Sequence, residues 1–127
     1  MNNLLHEELT KQIIGLAMQV HTNLKPGLDE KIYEKAMVIE LTEKGIQCDQ
    51  QKRFKIHYKT KLIGELIPDL IIDKKVIVDT KVVTDFNDAH IAQMLGYLNI
   101  TNLKVGLLIN FKKASLEWKR ITSSKSI

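Results

Sequence analysis

The sequence predicts a mixed α/β domain in which one β-sheet packs against helices. Three observations lead to this class: apolar residues recur at helical spacing up to Lys44, the period then changes from 3.6 to 2, and a further helical segment separates the later strands. The predicted element order is α-α-β-β-β-β-α-β-β. With 127 residues, the chain has the length of one domain with a single core, expected over residues 1–121 before a frayed tail at 122–127.

Two amphipathic helices are predicted first. Apolar residues at helical spacing run from Leu4 to Leu24, and Pro26-Gly27 then breaks the chain. The second helix is predicted from an N-cap at Asp29 to Lys44, with Gly45 as the C′ residue. Its expected buried stripe consists of Ile32, Ala36, Ile39 and either Met37 or Leu41.

Extended segments follow these helices, and Asn87–Asn99 is the only further helix predicted. The expected extended segments are Ile46–Tyr58, Leu62–Ile72, Val76–Val83, Lys104–Asn110 and Leu116–Ile121. The first of them counts as two strands in the element order, because its second half alternates as a half-exposed strand. Pro68 predicts a bulge or bend within Leu62–Ile72, because proline cannot donate to a strand ladder. Val76–Val83 is apolar on both faces except at Asp79 and Lys81, which is typical of a central strand.

Composition restricts the class of protein. The charged fraction of 27% and the absence of any run of about 18 apolar residues argue against a membrane protein. The acidic N-terminal segment does not resemble a secretory signal, and the single cysteine, Cys48, fits a reduced compartment, so we expect a cytoplasmic location. A net charge of +4 suits a nucleic-acid partner, although many basic proteins bind none.

Strand parity brings three polar residues of one hairpin together. If Asp73-Lys74-Lys75 forms a three-residue turn, Asp69 lies opposite Asp79, and Lys81 lies on the same face. A two-residue turn would send the two aspartates to opposite faces. Two carboxylates roughly 5 Å apart among apolar residues need compensation. A divalent cation bound by both is the fuller compensation, and a salt-bridged trio without a metal is the alternative.

Short motifs around this hairpin occur in an order that is itself informative. Gly27-Leu28-Asp29-Glu30-Lys31-Ile32-Tyr33 is followed by Pro68-Asp69-Leu70, Asp79-Thr80-Lys81, Gln93…Tyr97 and Gly106…Phe111. From about Ile13 to Ile121, the chain therefore resembles the GxxExxY proteins of the PD-(D/E)XK nuclease superfamily. This resemblance implies the restriction-endonuclease-like fold and a nuclease dependent on Mg²⁺ or Mn²⁺ that acts on DNA or RNA.

The resemblance also implies roles for individual residues. Asp69 resembles the metal-binding aspartate, and Asp79 resembles a second acidic ligand that is usually Glu in the family. Lys81 resembles the lysine that orients the attacking water or stabilises the phosphorane. Glu30 resembles a helix acid that completes the site directly or through water. The backbone carbonyl of Thr80 would be a further metal ligand.

Other residues are candidates with competing interpretations. Gln93 and Tyr97 stand one helical turn apart and resemble a Q-x-x-x-Y pair that shapes the site and holds the substrate strand. Tyr33 either faces the site or belongs to the core, and His21 contacts substrate unless it is a satisfied core histidine. Further candidates are His90 as a base, Glu65 as a second-tier ligand, and Lys52, Arg53, Lys55, Lys59, Lys112 and Lys113 as phosphate contacts or solvated edges.

The sequence therefore predicts a metal-dependent nuclease, with two alternatives. The first is a catalytically weak or inactive module that keeps the fold and binds nucleic acid or a protein partner, an alternative left open by Asp79 in place of Glu. The second is a structural subunit whose site is only an ion-pair core. The sequence leaves open whether a homodimer or a protein partner helps so small a domain to hold its substrate.

Overall fold

The computed structural model describes residues 4–123, which form a five-stranded mixed sheet with helices on both faces and a separate two-stranded hairpin. The elements are α1 (Glu7–Leu24), α2 (Glu30–Glu43), β1 (Cys48–Gln50), β2 (Phe54–Tyr58), β3 (Lys61–Leu66), β4 (Leu70–Ile72), β5 (Val76–Lys81), α3 (Asp88–Thr101), β6 (Val105–Asn110) and β7 (Glu117–Thr122). The strand order is β1-β4-β5-β6-β7. The parallel pair β5–β6 is connected through α3, and the other neighbours are antiparallel. The mixed α/β class is thus confirmed.

The strand count and the single sheet were predicted incorrectly. Five strands precede α3 instead of four, because the predicted strand Leu62–Ile72 is divided into β3 and β4 at residues 67–69. Proline lacks the N–H group that a continuing ladder would need, so the chain leaves one sheet before Pro68 and joins another after it. β3 pairs with β2 in a hairpin of its own, whereas β4 pairs with β1 and β5.

Alternate residues of the central strands point to opposite faces of the sheet and so belong to two different apolar layers. One face of the sheet packs against α1 and α2 through residues such as Leu70, Ile72, Val76 and Val78. The opposite face packs against α3 through Ile71, Ile77, Leu108, Met94 and Leu98. This strict alternation along β4 and β5 decides which helix layer each polar side chain of these strands meets.

The buried face of α2 differs from the prediction. Ile32 and Ile39, expected inside, are 42% and 58% exposed, while the helix buries Tyr33, Glu34, Met37 and Leu41. Moving from Ile32 to Tyr33 rotates the inward direction by about 100° around a helix. Tyr33 fixes this rotation by stacking on Phe111, with ring centroids 4.5 Å apart and an interplanar angle of 7°.

The predicted ends of α2 agree more closely with the structure. Asp29 is the N-cap of α2, and Gly45 follows Lys44 with φ of 71°, as expected for a C′ glycine. The predicted start of the frayed tail at residue 122 was wrong. Thr122 belongs to β7, and the Ser123 N–H donates to the Lys104 carbonyl at 2.9 Å. The rest of that tail, 124–127, lies outside the described residues. Within residues 4–123, no helix has the length and apolar character needed to cross a membrane.

Gly106 on β6 gives a test of the α3 interface. A Cβ at this position would lie against Sδ of the buried Met94 and 2.8 Å from its Cγ, so Gly106→Ala is expected to lower the free energy of unfolding by about 1–3 kcal/mol. Gly96→Ala is the matched control, because a Cβ there meets nothing within 4 Å and alanine favours a helix by about 0.5–1 kcal/mol. Urea denaturation measures both changes, and equal effects would contradict this account of the packing.

Candidate active site

The β4–β5 hairpin has the register that parity requires. Ile72 pairs with Val76, so residues 73–75 form the three-residue turn, and Leu70 pairs with Val78. Asp69 lies one residue before β4, and continuing the same register sets it opposite Asp79. Asp73 and Lys74 take left-handed φ values of 54° and 56°, which closes the turn in three residues.

The two aspartates form a carboxyl pair, called here the Asp69–Asp79 pair, in which Asp79 is buried and Asp69 is partly buried. Asp79 is only 3% exposed, and the two side chains share a hydrogen bond. Burial is the largest cause, and together with the hydrogen bond to Asp79 and the negative charge of Asp79 it raises the pKa of Asp69 to about 7. The Thr80 N–H, 3.2 Å from Asp69 Oδ2, acts in the opposite direction. One proton is therefore retained between the carboxyl groups up to near neutral pH.

Lys81 supplies the positive charge beside this pair. Its Nζ lies 2.9 Å from Oδ2 of Asp79, and the lysine side chain is only 13% exposed. The same ammonium donates to Oε1 of Gln93 at 3.5 Å. Oδ2 of Asp79 nevertheless accepts no well-aligned hydrogen bond from the described residues, so this buried oxygen is held by an ion-pair contact alone.

Helix α3 presents the Q-x-x-x-Y pair to these strands. Gln93 reaches Lys81, and Tyr97 is half-buried near both aspartates. Burial raises the pKa of the Tyr97 phenol to about 12, with the charges of Asp79 and Asp69 as further causes. The phenol stays protonated at any physiological pH, so it can only donate its proton in a hydrogen bond or accept one at its oxygen.

Glu30 reaches the same strand from the opposite layer. Its Oε1 accepts a hydrogen bond from the Val82 N–H at 3.2 Å, and its carbonyl oxygen lies 3.5 Å from Oγ1 of Thr80. Thr80 points towards α1 and α2 because its neighbours Asp79 and Lys81 point towards α3. Among residues 4–123, no three His, Cys, Asp or Glu side chains are arranged to hold a metal together. The structure thus brings together two of the three expected carboxylates.

The Asp69–Asp79 pair has the chemistry of a Mg²⁺ site. The ion is commonly held by one or two protein carboxylates and retains waters that substrate phosphates can replace. A dication would substitute for the shared proton and satisfy the Asp79 oxygen that lacks a hydrogen-bond donor. The residues present therefore fit a divalent metal without a third carboxylate.

Two residues predicted to contact substrate make hydrogen bonds within the protein. The Tyr33 hydroxyl donates to the Lys25 carbonyl at 2.6 Å and accepts from the Leu28 N–H at 3.2 Å, so it fastens the loop before α2. Nε2 of His21 lies 2.8 Å from the Lys113 carbonyl, and the ring is buried. The contacts of both residues serve the core, which was the competing interpretation for each.

Several of the secondary candidates have partners within the protein. His90 forms a capping box with Asn87: its N–H donates to Oδ1 of Asn87 at 2.9 Å, and its Nδ1 accepts from the Asn87 N–H at 3.1 Å. Glu65 is paired with Arg53 on the β2–β3 hairpin, away from the sheet that carries Asp69. Lys113 forms ion pairs with Asp85 and Glu117.

A buried glutamate behind the site was missed in the sequence. Glu34 is 1% exposed and accepts hydrogen bonds from the side chains of Gln50 at 2.8 Å and Gln51 at 3.0 Å. The Gln51 N–H in turn donates to the Asp69 carbonyl at 3.0 Å, so α2 positions the backbone of the first aspartate. A usable signal was the spacing of Glu30 and Glu34, which share one helix face at i and i+4.

Asn110 fixes the other strand of the site. Its buried amide donates to the Val83 carbonyl at 2.7 Å and to Oε1 of Glu117 at 3.2 Å, and its oxygen accepts from the N–H groups of Val83 and Lys112. The partner of Asn110 in the β5–β6 ladder is Lys81. Asn110 thereby holds the chain just beyond Lys81 in place. Asn110 belonged to a recognised motif, but nothing in the sequence indicated this role.

The comparison with known protein families agrees with the geometry of the candidate site. A sequence model of the PD-(D/E)XK nuclease superfamily matches residues 7–121, so the chain belongs to this superfamily. No curated protein has a matching sequence.

Solved structures support the restriction-endonuclease-like fold. The structure is similar to SSO0001, with a TM-score of 0.60 and 14% identity over 95% of this chain and 61% of that one. It is also similar to an alkaline exonuclease, LHK-Exo, from Laribacter hongkongensis, with a TM-score of 0.56 and 11% identity over 98% of this chain and 73% of that one. The chain therefore spans about three fifths of the length of SSO0001. At these identities the likeness concerns the fold alone.

Proposed function

We propose that this protein hydrolyses phosphodiester bonds of DNA or RNA with the help of a bound Mg²⁺ or Mn²⁺. The observation that carries the proposal is the Asp69–Asp79 pair, with Asp79 buried, Asp69 partly buried and Lys81 ion-paired to Asp79 at 2.9 Å. Burial of two adjacent carboxyl groups is costly for folding alone. A fold that nevertheless retains them beside a lysine has the groups that metal-assisted phosphodiester hydrolysis requires.

The carboxylates of Asp69 and Asp79 would hold the metal, with the Thr80 carbonyl as a further ligand. When bound, the dication supplies an activated water and offsets charge on the phosphate. Glu30, bonded to the Val82 N–H, would act through water rather than by direct contact. The network from Glu34 through Gln51 to the Asp69 carbonyl keeps the first carboxylate oriented.

Lys81 would act on the substrate rather than on the metal. Its ammonium is a strong donor in a largely dry position, where it can stabilise negative charge that develops on the phosphate. Gln93 accepts from this ammonium and so fixes its direction. The protonated phenol of Tyr97, close to both aspartates, is available to donate to a substrate oxygen.

Several finer assignments are part of the proposal. The Gly27–Tyr33 signature supports placement with the GxxExxY proteins inside the superfamily. A cytoplasmic location fits the lone cysteine. A homodimer or a protein partner would extend the surface that a domain of this size offers to a substrate.

One observation favours the alternative of a weak or inactive binding module. Glu30 is engaged with the Val82 N–H and does not join the Asp69–Asp79 pair, and position 79 carries the shorter acid. Such a site would bind the metal less tightly than one with three carboxylates.

Cleavage assays with Lys81→Met decide between these functions. Wild type is expected to cleave DNA or RNA in Mg²⁺ or Mn²⁺, and Lys81→Met is expected to reduce kcat about 10²–10³-fold because one preorganised cation is lost. Lys75→Met is the matched control, since Lys75 lies at the opposite end of β5 in an exposed ion pair with Asp73. Nucleic-acid binding without cleavage by wild type in either metal would support the binding module. Metal-dependent cleavage that survives Lys81→Met unchanged would contradict the assignment of Lys81.

A further inference from the structure

The β2–β3 hairpin concentrates the positive charge of the protein. Residues 52–66 contain five basic side chains and one acidic side chain, a net charge of +4. The whole chain also has a net charge of +4, so the remaining residues carry fourteen basic and fourteen acidic groups that cancel. The basic residues are Lys52, Arg53, Lys55, Lys59 and Lys61.

This hairpin projects from the core instead of covering it. β2 and β3 pair only with each other, and their joint base packs against the α3 layer through Phe54. Towards the tip, Tyr58, Leu62 and Ile63 are 64%, 57% and 65% exposed. Apolar side chains are unfavourable on a strand edge that stays in water. Their exposure among lysines is typical of a surface that becomes buried in a complex.

The turn at the tip of the hairpin contains a lysine whose backbone conformation is strained. Lys59 and Thr60 form the two-residue turn between Tyr58 and Lys61, and Lys59 has φ of 57°. Glycine or asparagine is favoured there, and a lysine in the left-handed region costs about 1 kcal/mol. The turn therefore presents a charge at the point where a glycine would give a more stable hairpin.

The hairpin is attached directly to the candidate active site. The chain leaves the five-stranded sheet at Gln50 and returns at Leu70, and the Gln51 N–H bonds to the Asp69 carbonyl. Asp69 follows Leu66, the last residue of β3, by three positions, a reach of roughly 10 Å at most. A polyanion held along the hairpin is thus directed towards the metal-binding carboxylates.

We propose that the β2–β3 hairpin binds double-stranded DNA by lying in its major groove, with Lys55, Lys59 and Lys61 contacting phosphates. This inference rests on the proposed function, because it names the substrate class of that site. The major groove of B-DNA admits a two-stranded β-ribbon, whereas the deep, narrow major groove of A-form RNA does not. A groove also requires a duplex, so single strands lack the surface that the ribbon fits.

The test uses three exposed lysines of the hairpin, of which Lys59 carries its ammonium over the exposed Tyr58 ring, 5.7 Å from the centroid. Arg53 is paired with Glu65, whereas Lys55, Lys59 and Lys61 lie on exposed positions towards the tip. Each phosphate contact contributes about 0.9 to the slope of log affinity against log salt concentration. Loss of three contacts is therefore expected to make the slope less negative by about 2.7 and to weaken binding roughly five-hundredfold near 0.1 M salt.

Fluorescence anisotropy with a labelled 30-base-pair DNA duplex, in EDTA and over a salt series, measures this effect without cleavage. The full chain with Lys55→Ala, Lys59→Ala and Lys61→Ala together is compared with wild type. The control removes the same charge elsewhere, at Lys11 on α1, Lys44 at the end of α2 and Lys75 before β5. A separate Lys59→Gly protein is expected to melt no lower than wild type and still to bind the duplex more weakly.

The outcomes separate the proposal from its alternatives. Weaker binding and a shallower slope for the hairpin variant alone, with little change on single-stranded DNA or duplex RNA of the same sequence, would support it. Equal losses on single strands and duplex, equal losses in both triple variants, or no duplex binding by wild type would overturn it. Hairpin-dependent duplex binding by a wild type that cleaves nothing in either metal would leave this inference standing and refute the proposed nuclease function.

Discussion

Asp69→Asn is expected to abolish metal-dependent cleavage and, in the absence of metal, to give a protein more stable than wild type at pH 8. The loss of a metal carboxylate should cost at least about a thousandfold in activity, since a catalytic dication supplies several kcal/mol. The gain in stability follows from the Asp69–Asp79 pair. An asparagine imitates the protonated acid: its oxygen can accept from the Thr80 N–H, and its amide can donate to Asp79.

The pH dependence of the free energy of unfolding explains why Asp69→Asn should be more stable than wild type at high pH. Because the pKa of Asp69 is raised from 3.8 to about 7, the folded protein retains a proton that the unfolded chain releases. The free energy of unfolding of metal-free wild type should therefore fall as the pH rises from about 4 to about 7, and level off above that. The asparagine variant lacks this component, so the difference between the two proteins grows over the same range.

Thermal melts of both proteins in EDTA between pH 4 and pH 8.5 measure this difference in stability. Each 1 kcal/mol of free energy of unfolding is expected to shift the melting temperature by about 4 °C. Added Mg²⁺ should then raise the melting temperature of wild type at pH 8 far more than that of the variant, because it binds the folded state. Asp73→Asn, in the exposed turn beside Lys75, is the control for loss of a carboxylate. Parallel pH profiles for wild type and Asp69→Asn would refute the shared proton.

Asn110→Leu is expected to lower the free energy of unfolding by about 3–5 kcal/mol, the largest stability change predicted for this protein. Leucine has a similar volume but leaves both main-chain groups of Val83 and the N–H of Lys112 without their partner. Each buried polar group left without a hydrogen bond costs about 1–3 kcal/mol. The measurement is urea denaturation monitored by circular dichroism.

Asn99→Leu on the exposed side of α3 is the matched substitution, and it should change stability by no more than about 0.5 kcal/mol. The loss in Asn110→Leu should also reach the site, because Asn110 holds the segment that follows Lys81. A change at position 110 as small as that at position 99 would show that the four hydrogen bonds of Asn110 are dispensable.

The features that the sequence predicted correctly depend on short-range rules. Strand parity placed Asp69 across from Asp79 on the condition of a three-residue turn, and the pairing of Ile72 with Val76 has that turn. The end of α2 at Lys44 and Gly45 was likewise readable, because left-handed backbone at a helix end favours glycine. In both cases the determining residues are only a few positions apart.

The features that were missed depend on contacts between distant segments. The buried face of α2 was wrong because Tyr33 stacks on Phe111, a residue from the other end of the chain, and this contact outweighs the burial of Ile32. The hairpin became separate because β3 found a partner in β2 instead of extending into β4. Periodicity describes which residues share a face, but it does not say which face meets the core.

The sequence by itself determined that Asp69, Asp79 and Lys81 lie on one hairpin and, given a three-residue turn, on one face of it, because the geometry of a hairpin is local. Only the tertiary structure decided that Gln93 and Tyr97 face this pair while Glu30 reaches the strand from the opposite layer. The physical reason is that the sheet separates α2 from α3. Which polar groups surround the pair therefore depends on how each helix packs, and this packing is fixed by long-range contacts.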